Sequence, residues 1–166
     1  MSVTAALKAN EEAIAGDATN ARVVFSTQGS LVGTTHVQLS SRGHTIEVDE
    51  PDVLAGGDQF ANPVEYALAS LASCQAITYR FWAAKLGIAL DSVEVAVEGD
   101  LDLHGFFGLD ESTRAGFNGI RLDVTPIGPE SAQRYRELAD AVDANCPVLD
   151  LFTNQTPVER RLAVAV

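Results

Sequence analysis

Residues 62–87, NPVEYALASLASCQAITYRFWAAKLG, constrain the fold of this chain more than any other segment. Asn62 is a good N-cap, Pro63 fits the first helical turn, and Glu65 stands three residues after the cap, as in a capping box. Gly87 stops the run. The pattern predicts one long helix over roughly 63–86. Its small residues Ala69, Ala72 and Ala76 permit close packing. In its middle stands Cys74.

Shorter elements surround this helix. Residues 3–15 read as a short amphipathic helix or arm, within an N-terminal arm over 1–20. ARVVFST (21–27), TTHVQLS (34–40) and HTIEVD (44–49) are β-like, and Thr35, Val37 and Leu39 alternate with polar neighbours. EPDVLAGGDQFANP (50–63) is a loop by its Pro, Gly and Asp content. DSVEVAVEGDLDLHG (91–105) alternates as a strand, with Val93, Val95, Val97, Leu101 and Leu103 on one side. A second strand uses Ile120, Leu122 and Val124. A helix over about 130–145 aligns Tyr135, Leu138, Ala139 and Val142. NCPVLDLF ends it and starts a third, short helix, and TPVERRLAVAV reads as a last strand. Strands with interposed helices but no regular βα alternation predict a single α+β domain over 1–166.

The formal net charge of −12, from 23 acidic and 11 basic residues, argues against an electrostatic grip on nucleic acid or an anionic membrane. No apolar run reaches the length of a membrane span, and the N-terminus lacks signal-peptide character. A cytoplasmic location is expected, where thiols are kept reduced. The two cysteines, Cys74 and Cys146, cannot build a zinc site alone. A disulfide between them is expected to be transient.

Cysteine is often simply buried, and Cys74 in ASLASCQA is compatible with that role. Cys146 lies between Asn145 and Pro147, at a helix start, where free N–H groups favour a thiolate. A reactive thiol also wants a cation. Arg22, Arg42, Arg80, His36 and His44 are the candidates, and Arg42 and His44 approach only through tertiary or subunit packing. Gly29-Ser30 lacks a nucleophile-elbow context. Asp100, Asp102 and His104 share one face of the predicted strand, but a solvated face is a better reading than a metal site.

NPVEYALASLASC, the CPV after a later helix, RGHTIEVDEPDVLAGGDQFANP upstream and EGDLDLHGFFG between them resemble the OsmC/Ohr-like proteins over about residues 20–165. The resemblance implies an α+β fold of antiparallel sheets and a long central helix, forming an intertwined homodimer with its active sites at the subunit interface. It implies reduction of organic hydroperoxides, with Cys74 peroxidatic and Cys146 resolving. No bound cofactor is implied, and an external dithiol restores the pair. His44, Phe81, Trp82, Phe106 and Phe107 are candidates to line the pocket, although packing explains the aromatic residues equally well.

The resemblance also implies a glutamate just after the NP, paired with an arginine that activates the thiolate; here position 64 is valine and the acid stands one place later, as Glu65. Glu65 precedes Cys74 by nine residues, roughly 13 Å along a helix, so capping is its safer role. The early loop STQGSLVGTT has no arginine where the resemblance implies one, and Arg42, with His44 beside it, is the substitute candidate for the activating cation. Two other functions use the same residues: binding of a small apolar ligand without turnover, and thiol–disulfide sensing.

Overall fold

The computed structural model describes residues 1–165. Helix α1 (Val3–Gly16) leads into an antiparallel three-stranded sheet of β1 (Gln28–Leu31), β2 (Val37–Ser41) and β3 (His44–Val48). The long helix α2 (Pro63–Leu86) follows. Then come β4 (Ser92–Asp100), the one-turn α3 (Leu103–Phe106), β5 (Gly119–Ile127), α4 (Ala132–Asp143) and α5 (Pro147–Thr153). Strands β4 and β5 form a separate antiparallel pair, with Ser92 opposite Ile127 and Asp100 opposite Gly119. The fold is α+β, as the strand and helix patterns predict, and its sheets are antiparallel, as the resemblance implies.

Helix α2 begins and ends where its local chemistry dictates. The Glu65 amide donates to Asn62 Oδ1 at 2.9 Å, and the Asn62 amide donates to Glu65 Oε2 at 2.8 Å. At the other end Gly87 takes φ +62°, a left-handed conformation that closes the helix without a Cβ clash. The 24 residues between run about 36 Å.

Burial alternates strictly along β4 and β5, so Val93, Val95, Val97, Ile120, Leu122 and Val124 share the less exposed face. Helix α2 packs on β4, on α4 and on α5. The core lies there: Tyr79 and Ala83 of α2, Ile88 and Leu90 of the following turn, and Leu138 and Val142 of α4. Arg80 is committed to this frame, donating to the carbonyls of Leu90 and Asp91. Burial, reinforced by Asp143 and Asp140, pushes the Tyr79 phenol up to about 12. Among the described residues no helix is long and apolar enough to cross a membrane.

Five expectations change. ARVVFST is not a strand: Ala18–Ala21 forms a 3₁₀ turn capped by Asp17, and pairing starts only at Gln28. Thr35 lies before β2, where its hydroxyl donates to Asp49 Oδ1 at 2.6 Å. The strand read over 91–105 ends at Asp100, because Asp102 caps α3 by accepting from the His104 amide at 2.9 Å. This also dissolves the face shared by Asp100, Asp102 and His104: Asp100 pairs with Arg121, and Asp102 accepts from the His104 ring. Residues 156–165 make no ladder among the described residues, since alternation needs a neighbouring strand to become one; Val166, the last residue of the expected strand, lies outside the described residues.

Candidate active site

The two cysteines meet. Helix α2 carries Cys74 on its side toward α5, and Cys146 is the N-cap residue of α5, held there by Pro147 in the first turn. The Cys146 thiol donates toward Cys74 Sγ at an Sγ–Sγ distance of 3.4 Å, with both cysteines free. Bonded sulfurs lie about 2.05 Å apart, so this is a dithiol in van der Waals contact. Cys146 is buried at 2% exposure, whereas Cys74 is only half-buried. The more open thiol is therefore the one on the long helix.

Burial pushes the Cys146 thiol up, and donation to Cys74 adds to the effect. The N–H groups of Leu149 and Val148 pull it back down, less strongly than burial raises it. Cys146 is thus held as a neutral donor beside Cys74. Below Cys74 on the same helix face, Thr78 donates its hydroxyl to the Cys74 carbonyl at 2.8 Å and brings Oγ1 to 4.0 Å from Cys74 Sγ.

Residues 56–161, which include both cysteines, match the family model described as OsmC-like protein. The chain belongs to the OsmC-like family. No curated protein matches it by sequence. Its fold is similar to that of an OsmC-like protein from Mycoplasma pneumoniae, with a TM-score of 0.69, 19% identity, and coverage of 78% of this chain and 87% of that one. It is also similar to an organic hydroperoxide resistance protein from Legionella pneumophila, with a TM-score of 0.61, 19% identity, and coverage of 79% and 90%. The organic hydroperoxide resistance protein OhrB of Bacillus subtilis aligns with a TM-score of 0.55 at 20% identity, over 79% of this chain and 91% of its own.

The other candidates in this OsmC-like chain are distributed over the fold. Glu65 is engaged in the α2 capping box, nine residues before Cys74. Arg42 and His44 stand exposed at the β2–β3 turn, Arg42 with φ 51°. Phe106 and Phe107 are exposed on and just after α3, packed edge-to-face with centroids 5.0 Å apart. Phe81 lies on α2 and lines a groove with Thr78.

Sequence reading missed Thr78, whose only signal was its place one turn after Cys74. It also missed Gln75, fully buried with neither amide atom partnered, which reads from the sequence as one more helix residue. Asp49 was missed as an organiser. It accepts from the amides of Glu50 and Gly57 at 2.9 Å, besides Thr35, and so folds the loop that delivers the chain to the α2 cap.

Proposed function

We propose that this chain is a thiol-dependent peroxidase that reduces organic hydroperoxides through Cys74 and Cys146. The observation that carries this reading is the contact of two free thiols at 3.4 Å, one half-open and one buried. The Cys74 thiolate attacks the distal peroxide oxygen, the O–O bond breaks, and the alkoxide takes a proton and leaves as an alcohol. Cys74 becomes a sulfenic acid. Cys146 then attacks that sulfur, its proton leaves with the hydroxyl as water, and the Cys74–Cys146 disulfide forms. Closing the sulfurs from 3.4 Å to about 2.05 Å is a short movement. An external dithiol, oxidised in exchange, returns both thiols, which calls for a reducing compartment such as the cytoplasm. The family relationship, and the hydroperoxide-resistance names of two structural neighbours, support the same chemistry.

The active unit in this reading is a homodimer. Two sheets that share no strand support it, as do the exposed apolar residues Val23, Val24, Phe25, Leu31 and Val32 in and around β1 and Val158, Leu162 and Val164 in the tail. A second copy is also the route by which Arg42 reaches Cys74 to favour its thiolate.

The test is a pair of serine variants assayed with cumene hydroperoxide and a dithiol. Cys74→Ser abolishes turnover. Cys146→Ser allows one oxidation and then accumulates sulfinic acid at Cys74, read by intact mass. Turnover that survives in Cys74→Ser refutes the assignment.

A further inference from the structure

An apolar groove of about 310 Å³ runs along α2 away from the dithiol, near the lower end of the range of ligand pockets, about 300–1,000 Å³. Its floor is a helical stripe. Ile77, Thr78, Phe81 and Lys85 follow Cys74 at three, four, seven and eleven residues, so all lie on one face, and Trp82 flanks them. The near end of the groove is one residue removed from each sulfur: Thr78, which lines it, brings Oγ1 to 4.0 Å from Cys74 Sγ, and Asn145, which precedes Cys146, also lines it.

The opposite wall comes from α1. Leu7 lines the groove, and with Val3 and Ala6 it makes the half-buried face of α1. Glu11 of α1 pairs with Lys85 at 3.2 Å, and the Lys85 ammonium sits 5.0 Å from the centre of the Trp82 ring. The helix is thus clasped over the far end of the stripe. Residues 3–16 precede the span 56–161 shared with the family, so this wall is supplied by sequence outside that match.

We propose that α1 is a specificity element of the dithiol site, holding the apolar tail of an organic hydroperoxide between Leu7 and the Phe81–Trp82 side of α2 while the peroxide group faces Cys74. The inference rests on the peroxidase reading for its substrate. A bulky aryl or alkyl tail gains contact with this wall, whereas a compact one does not reach it.

Two readouts test it separately from that reading. Trp82 is the only tryptophan, so its fluorescence reports occupancy of the groove. Titration with cumyl alcohol, the reduced form of cumene hydroperoxide, is expected to change that fluorescence saturably. Leu7→Ala is expected to weaken this binding about fivefold and to lower the kcat/KM ratio of cumene over tert-butyl hydroperoxide by about the same factor. Glu11→Gln, which loosens the clasp without touching the groove, is expected to shift both in the same direction. Binding that distinguishes wild type from Leu7→Ala without any turnover upholds the groove and defeats the peroxidase. Turnover with a Trp82 signal absent, or with both readouts indifferent to Leu7→Ala, overturns the role of α1 and leaves the peroxidase standing.

Discussion

Asp49 is buried with its carboxylate surrounded by donors, the Thr35 hydroxyl first among them and the amides of Glu50, Gly57 and Gln59 after it. These bonds hold its pKa down to about 2, below the ordinary 3.8. A depressed carboxylate stabilises the fold above its unfolded pKa, and that contribution is lost as pH falls from about 4 toward 2. Asp49→Asn is therefore expected to lower the denaturation midpoint near neutral pH, with the gap to wild type closing as pH falls through that window. An equal gap at about pH 3 and pH 7 contradicts the assignment. The loop around it is tightly folded: a Cβ on Gly56 would lie 1.6 Å from the Glu50 carbonyl oxygen. At the cysteines the same residue-scale logic divides the labour. Burial holds the Cys146 thiol up toward its neutral form, and Cys74, only half-buried, is the more accessible of the two sulfurs.

Helix α2 joins the core to the site. Its buried residues Tyr79 and Ala83 pack with Leu138 and Val142 of α4, which are fully buried, and the α4–α5 corner then brings Cys146 to Cys74. Leu138→Ala is expected to cost about 3 kcal/mol in urea denaturation, because the cavity is walled by two helices and a sheet that cannot all close in. A loss under about 1 kcal/mol contradicts this account of the core. The bounds of α2 were legible because caps are local: Asn62, Pro63, Glu65 and Gly87 act within one turn of themselves. The strand over 91–105 was overextended because alternation continues through Leu101 and Leu103, while a short-range bond from Asp102 starts α3 instead. β1, Gln28–Leu31, has no alternation to find and exists through its pairing with β2. The contact of Cys74 with Cys146 spans 72 residues and depends on the packing of α2 against α5, which no window of the sequence contains. Family resemblance implied their pairing; the wall formed by Leu7 had no such signal.

On the scale of the whole molecule, the chain places a dithiol at the junction of α2 and α5, with a groove along α2 and the −12 net charge spread over the chain. The proximity of the sulfurs makes oxidation of the pair, rather than of one thiol, the natural product of a single peroxide. The most direct test of that central claim is intact mass with a free-thiol count after one equivalent of cumene hydroperoxide, run beside one equivalent of hydrogen peroxide. The account predicts rapid loss of both thiols with a mass decrease of two hydrogens, faster with the organic peroxide. Two free thiols after prolonged exposure, or a stable gain of oxygen at Cys74 with Cys146 still free, contradicts it.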